Sequence, residues 1–183
     1  MIPAVEELAL TIFVPQAESY LRSFREHYDV QTSNDIPAHI TINTPFVPDL
    51  KPESELDESL EDLFSGIAAF PFALTEIRRF PNVLYLAPEP EERFRELIVA
   101  VFDRFPESPP YEGQFDDVIP HLSLVYLEDS EEFNAQSETM TAATEGLLPI
   151  TGKVTNVWLL EKVAGEWRKR KSFQLGGDLS SDA

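Results

Sequence analysis

Two short segments of this 183-residue chain carry nearly the same pattern, and that duplication constrains the fold more than any other feature. The segments are Pro37-Ala38-His39-Ile40-Thr41-Ile42 and Pro120-His121-Leu122-Ser123-Leu124. In each, a histidine precedes a hydroxyl residue by two positions. Side chains alternate along a β-strand, so each histidine and its hydroxyl partner would project from one face, roughly 6 to 7 Å apart along the strand. The aliphatic residues between and after them would face a core.

The segments that precede the two motifs are also alike. Residues 7–14 and 83–87 are typical of apolar strands, and each is followed by a proline and then by an amphipathic helix, over residues 18–28 and 91–105. A polar or proline-rich loop leads from each helix to its motif. Two such units predict a domain with pseudo-two-fold symmetry, in which two sheets face one another across a central groove. Both motif faces would meet in that groove.

The rest of the chain predicts fewer elements. They are a helix over residues 54–64, a strand over 72–80, a weaker helix over 130–144, and a hairpin of strands 154–162 and 166–174 around Ala164-Gly165. We expect residues 1–175 to form a single bilobal domain and residues 176–183 to form a disordered tail.

Composition limits the function classes. The formal net charge of −19 argues against tight binding to long nucleic acid, although a local cationic pocket could still hold a small phosphate. The chain has no cysteine, which excludes disulfides and thiolate metal sites and fits a reducing cytosol. It has neither a signal-peptide pattern nor an apolar run of membrane-spanning length. We therefore expect a cytoplasmic protein that is monomeric and has no membrane partner.

The two motifs resemble the paired His-x-Thr/Ser-x signatures of the 2H phosphoesterase superfamily, which includes the 2'-5' RNA ligase-like and 2',3'-cyclic nucleotide phosphodiesterase proteins. Both copies, their separation of some eighty residues and the repeated strand-helix frame carry this resemblance across nearly the whole chain. The resemblance implies a bilobal α+β fold, in which two antiparallel sheets flank a central groove and the helices lie on the outside. It also implies no metal or other cofactor, and phosphodiester chemistry on a small nucleotide or an RNA end with a cyclic phosphate.

The residue types suit that chemistry. Opening a 2',3'-cyclic phosphate with water requires one group that removes a proton and another that gives one, and His39 and His121 could do both near neutral pH. Thr41 and Ser123 would donate hydrogen bonds to the non-bridging phosphate oxygens. The residues alone do not assign the two histidine roles. By resemblance, His39 is the acid and His121 the base for ring opening.

One position departs from the family pattern. Several bacterial relatives carry a phosphate-binding arginine two residues beyond the second motif, where this chain has Tyr126. Either Arg78 or Arg79 could replace that charge, and because they are adjacent on a strand they would face opposite sides. Phe46 and Tyr126 could stack on a base, or they could pack in the core or at its rim.

Other interpretations remain open. The histidines could be half-buried structural residues bonded to backbone. A zinc site is a further alternative, but neither motif has an Asp, Glu or Cys at ligand spacing, and Asp116 and Asp117 lie on a loop of unknown direction. The basic run 168–171 could serve solubility or edge protection rather than RNA binding. The alternative functions are 2'-5' RNA ligase or 2'-5' phosphodiesterase activity and a non-catalytic module that binds nucleotides or RNA ends.

Overall fold

The computed structural model describes residues 4–27 (backbone only for 23–27), 36–49, 53–126, 131, 134, 137–139, 141–142 and 146–177. Its helices are α1 (Pro15–His27), α2 (Glu53–Ser65) and α3 (Glu91–Arg104), with a 3₁₀ turn at Pro110–Gly113. Its strands are β1 (Val5–Phe13), β2 (His39–Asn43), β3 (Phe70–Phe80), β4 (Val83–Glu89), β5 (Leu122–Tyr126), β6 (Ile150–Val154), β7 (Asn156–Val163) and β8 (Glu166–Gln174).

The strands form two antiparallel four-stranded sheets. The first has the order β2-β1-β7-β8 and the second has the order β5-β4-β3-β6. Each motif strand is therefore an edge strand that pairs with the strand preceding its helix: β2 pairs with β1, and β5 pairs with β4. The two edge strands β2 and β5 also contact each other. The two-sheet arrangement predicted from the repeat and the α+β class implied by the resemblance are confirmed.

One hydrophobic core joins the two sheets. Ile40 and Leu122 are fully buried, and Ile42 and Leu124 are each 1% exposed, as the alternation within the motifs requires. All four belong to a single buried cluster that also contains residues of every helix. Because this cluster takes one side of each motif strand, the histidines and hydroxyls are left on the other side.

The helices cross between the two halves of the chain. Helix α1 follows β1 in the first half but packs against β5 and β6 of the second sheet. Helix α3 follows β4 in the second half and packs against β2 of the first sheet as well as against β4. Each motif strand is thus supported by the helix of the other repeat.

One strand was not predicted from the sequence, and one hairpin turn was predicted correctly. Residues 150–154 form the separate edge strand β6, which pairs with β3. The predicted hairpin turn is present, with Ala164 at φ 52° and Gly165 at φ 80°. Glycine adopts such positive angles readily, whereas alanine does so at a cost.

The predicted tail and the weaker helix fall largely outside the described residues. Gly176 is still bonded to the body of the fold, since its amide donates to the Ile67 carbonyl and its own carbonyl accepts from the amide of Ala69. Residues 178–183 lie outside the described part, as do eight of the positions predicted as helix between 130 and 144. None of the described helices has the length and apolar composition needed to cross a bilayer.

Candidate active site

The two motif histidines have the same hydrogen bond. His39 Nδ1 lies 2.8 Å from the carbonyl oxygen of Pro37, and His121 Nδ1 lies 2.7 Å from that of Ile119. A carbonyl can only accept, so each bond requires the proton on Nδ1. In the neutral ring Nε2 is then the basic nitrogen, and the ring is fixed in one orientation. Both histidines are therefore prepared to exchange a proton through Nε2.

A β-bulge follows the hydroxyl residue of each motif at the same position. On β2 the partner of Thr11 is Thr41 and the partner of Leu10 is Asn43, so Ile42 is the extra residue. On β5 the partner of Tyr85 is Ser123 and the partner of Leu84 is Val125, so Leu124 is the extra residue. A bulge bends its strand and redirects the side chains beyond it. The pseudo-two-fold relation thus extends to the irregularities of the two strands.

His121 lies against two aromatic rings. The centroids of Phe80 and Tyr85 lie 5.2 and 5.4 Å from the imidazole centroid, and the two rings stack on each other at 4.4 Å. Burial beside these rings lowers the pKa of His121 from its ordinary value, and the bond to Ile119 opposes this only in part. His121 is accordingly neutral at neutral pH.

Thr41 is contacted by a residue that the sequence analysis did not single out. Tyr111 lies in the 3₁₀ turn before the second motif, and its phenol is near enough to the Thr41 side chain for the two to interact. The Tyr111 amide also donates to the carbonyl of Thr44, at 2.7 Å. Burial raises the pKa of the Tyr111 phenol, so it stays protonated. The position of this loop before His121 was the only signal in the sequence.

On the second sheet, a row of side chains runs across three strands from the second motif. Ser123 is opposite Tyr85, and Tyr85 is opposite Arg78. Arg78 therefore lies on the face of Ser123, where its guanidinium donates to Glu76 and Glu91 and its charge acts on the Tyr85 phenol. Arg79 is opposite Leu84, on the other face. Of the two candidate arginines, only Arg78 is on the motif face.

The bulge on β5 decides where Tyr126 lies. Tyr126 is opposite Val83, two residues from Tyr85 on β4, so it returns to the face of Ser123 and is 61% exposed. In a regular strand it would face the core. The expectation for Phe46 needs correction: it is 1% exposed and packs edge-on against Phe105, with centroids 5.2 Å apart. Phe46 is a core residue and offers no ring face to a ligand.

Asp116 and Asp117 are the carboxylates that were considered for a zinc site near the second motif. Within the described part of the chain, no three His, Asp or Glu side chains are grouped as ligands of one ion. Asp117 instead pairs with Arg95 of α3. His27 is the last residue of α1, and its side chain lies outside the described residues.

Comparison with known proteins gives a consistent result. A family model described as the 2'-5' RNA ligase superfamily matches residues 13–166. Escherichia coli LigT complexed with 3'-AMP has a similar fold, with a TM-score of 0.57 and 16% sequence identity over 94% of this chain and 99% of that chain. TT0787 of Thermus thermophilus matches with a TM-score of 0.54 and 17% identity over 93% of this chain and 98% of that chain. A search of curated proteins found no match.

The family assignment rests on the family model, because structural matches at such low identity show the fold alone. The matched residues run from the end of β1 to the start of β8 and include both motifs. The chain therefore belongs to the 2'-5' RNA ligase superfamily of 2H phosphoesterases.

Proposed function

We propose that this protein is a metal-independent phosphodiesterase that opens 2',3'-cyclic phosphates of nucleotides or RNA ends. The observation that carries the proposal is the matched pair of histidines, each with Nδ1 bonded to a backbone carbonyl and each followed by a hydroxyl residue. A reaction that needs one proton acceptor and one proton donor uses two such imidazoles. The family membership supports phosphoester chemistry, and the histidine pair supports a mechanism of general acid-base catalysis.

The step balances with water as nucleophile. The Nε2 of one neutral histidine removes a proton from water as the oxygen attacks phosphorus. The bond from phosphorus to one ribose oxygen breaks, and the Nε2–H of the other histidine protonates that oxygen. The product is a ribose 2'- or 3'-phosphate monoester. Each such proton transfer contributes on the order of 10²- to 10⁴-fold to the rate.

The surroundings of His121 support its role as the base. Its pKa is lowered by burial against Phe80 and Tyr85, which keeps it neutral when the reaction begins. His39 is then the acid. This assignment agrees with the one implied by resemblance, and here it has a physical reason of its own.

The hydroxyls of Thr41 and Ser123 are proposed to bind the non-bridging phosphate oxygens. Charge grows on those oxygens in the transition state, where fixed donors stabilise it. The contact with the Tyr111 phenol is proposed to orient Thr41, and Arg78 lies in the Ser123 row as a source of positive charge. Tyr126, on the same face, is proposed to contact the base.

The first test is hydrolysis of the four 2',3'-cyclic mononucleotides in EDTA between pH 5 and 9. The parent protein is compared with His39→Ala, His121→Ala and the control His27→Ala, which removes the one histidine outside the motifs. We expect a bell-shaped rate profile that is lost in both motif variants and kept in the control. The position of the phosphate in the product identifies the leaving ribose oxygen.

Turnover that survives both motif substitutions would contradict the proposed site. If the cyclic mononucleotides are not hydrolysed, 2'-5' linked dinucleotides are the next substrates, because joining or cleaving that linkage uses the same four side chains. Ligand binding that persists in both histidine variants, with no product in the parent, would instead indicate a binding module.

A further inference from the structure

Two aromatic rings and one ammonium group form a cluster beside the first motif. The Phe13 and Trp158 rings meet edge-on, with centroids 5.8 Å apart. Lys169 Nζ lies 4.3 Å from the Phe13 centroid and 5.1 Å from the Trp158 centroid. Both rings are half-buried and Lys169 is exposed. We refer to Phe13, Trp158 and Lys169 as the aromatic platform.

The register places this platform on the His39 face of the first sheet. Phe13 is directly opposite His39, and Thr11 is opposite both Thr41 on one side and Trp158 on the other. Directly opposed residues share a face, with Cβ atoms about 4.5–5.5 Å apart. The platform therefore begins next to the proposed acid and extends away from β5, across β1 and β7 to β8.

The platform has a counterpart on the second sheet. Trp158 is two strands from Thr41, as Arg78 is two strands from Ser123. On the second sheet this position is occupied by Arg78, whose positive charge is close to carboxylates. On the first sheet it is occupied by the indole ring of Trp158. The two sides of the site thus offer different chemistry at equivalent positions.

Lys169 differs from the other basic residues of β8. Arg168 pairs with Glu166, Arg170 pairs with Glu53 and Asp57, and Lys171 pairs with Asp57 and Glu61. Within the part of the chain that the structure describes, Lys169 has no carboxylate within salt-bridge distance, and its ammonium rests on the two rings instead. On a chain with a net charge of −19, such a cation on the His39 face is available to a second phosphate of an anionic ligand.

An aromatic surface with an exposed ammonium group over it matches a nucleotide. A base stacks on the ring faces, and the ammonium moves from the rings to the adjoining phosphate, exchanging a cation–π contact for an ion pair. A cyclic phosphate ends its strand, so the only neighbour it can have lies on its 5' side. We propose that the aromatic platform is a subsite for the nucleotide 5' to the cyclic phosphate, which makes short RNA ends better substrates than mononucleotides. The reaction and the cyclic phosphate in this inference rest on the proposed function, whereas the preference for RNA ends over mononucleotides rests on the aromatic platform.

Binding tests the subsite without relying on turnover. The chain has two tryptophans, so a Trp167→Phe background leaves Trp158 as the only indole reporter. The probes are 3'-UMP and the dinucleotide UpUp, which ends in a 3'-phosphate. We expect UpUp to quench Trp158 fluorescence and to bind about tenfold more tightly than 3'-UMP, since one stacked base contributes an effect of at least that order. The UpUp affinity should also fall more steeply with added salt.

Lys169→Gln keeps the side-chain length and removes the charge. It should weaken UpUp binding several-fold, reduce the salt dependence and leave 3'-UMP binding unchanged. Lys162→Gln is the matched control, because Lys162 also lies over a ring, 5.9 Å from the Trp167 centroid, on the neighbouring strand. In kinetics, Lys169→Gln should raise KM for a dinucleotide 2',3'-cyclic phosphate and leave the mononucleotide parameters as they are.

The outcomes separate the two proposals. Equal affinities for UpUp and 3'-UMP, or equal effects of the two lysine substitutions, would overturn the subsite even if both substrates are hydrolysed. Tight, Lys169-dependent quenching by UpUp with no turnover of any cyclic phosphate would keep the subsite and reject the proposed reaction.

Discussion

The ring of Tyr85 lies edge-on to the imidazole of His121, with 5.4 Å between their centroids. This contact, together with the ring of Phe80, removes water from the proposed base and lowers its pKa below the ordinary 6.5. The rising limb of kcat/KM against pH should therefore have its midpoint below 6.5. A pH titration of the rate in EDTA measures it, and NMR titration of the three histidines identifies the group.

Removing the Phe80 ring from the side of His121 should shift the midpoint of the rising limb of kcat/KM. Phe80→Ala admits water to His121, so we expect the midpoint to rise towards 6.5. The control is Phe102→Ala, which removes a ring that is 41% exposed on the outer side of α3. If the midpoint does not change in Phe80→Ala, the rising limb reports the titration of a group other than His121.

The same lowered pKa makes a prediction about stability. Below about pH 6.5 the unfolded chain binds a proton at His121 that the folded protein does not bind. The free energy of unfolding should therefore decrease as the pH falls from 6.5 towards the folded pKa, by up to about 1.4 kcal/mol per pH unit from this group. Urea unfolding at pH 7 and pH 5.5 measures the change. In His121→Gln the decrease should be smaller, and an identical decrease would show that burial does not perturb this histidine.

Tyr111→Phe removes only the hydroxyl that contacts Thr41. If the phenol positions Thr41 through a hydrogen bond worth about 0.5–1.5 kcal/mol, kcat for the cyclic mononucleotide should fall roughly two- to tenfold. The contact between the Tyr111 and Phe115 rings is kept, and thermal unfolding should therefore change little. A loss of stability with no loss of kcat would mean that the phenol only supports the loop.

Arg78 and Arg79 are a matched pair, adjacent on β3 but on opposite faces. Arg78→Gln should lower kcat/KM by about tenfold or more, because it removes the positive charge in the row that leads to Ser123. Arg79→Gln should change it less than twofold. Steady-state kinetics on one cyclic mononucleotide measures both effects. Equal decreases of kcat/KM in the two variants would contradict the assignment of the phosphate-binding charge to Arg78.

Phe46 and Tyr126 were both candidates for base stacking, and their burial separates them. Phe46→Ala should destabilise the fold by about 3–5 kcal/mol, since it empties a fully packed site against Phe105. Tyr126→Ala should leave stability nearly unchanged and raise KM several-fold, because its ring is exposed on the motif face. Chemical denaturation and KM measured on both variants test this, and a KM effect in a folded Phe46 variant would reverse our correction.

Much of the fold could be predicted from the sequence, because the spacing of apolar residues along a strand or helix indicates which face is buried. The alternation of His39-Ile40-Thr41-Ile42 predicted both the strand and its buried face, and the stripe on α3 predicted that helix to within one residue. The duplicated frame predicted two sheets with related strands. These features depend on local pattern, which one sequence contains.

The details of the site depend on contacts between distant residues. A bulge after Thr41 or Ser123 is not encoded by residue type alone, yet it decides that Tyr126 returns to the motif face. Tyr111 meets Thr41 only because the loop before β5 folds back onto β2. Phe46 stands between prolines and resembles a rim residue, but its partner Phe105 lies at the far end of α3. The roles of His39, His121, Thr41 and Ser123 stay predictions until the variants are measured.

The crossing of α1 and α3 has a consequence for how the molecule can be divided. A fragment with only one motif strand, the strand before it and the helix between them would leave that helix without strands that it packs against here. The first sheet is also divided along the chain, because β1 and β2 come from its beginning and β7 and β8 from its end. Cutting this protein between α2 and β3 should therefore give fragments that regain the site together and not singly.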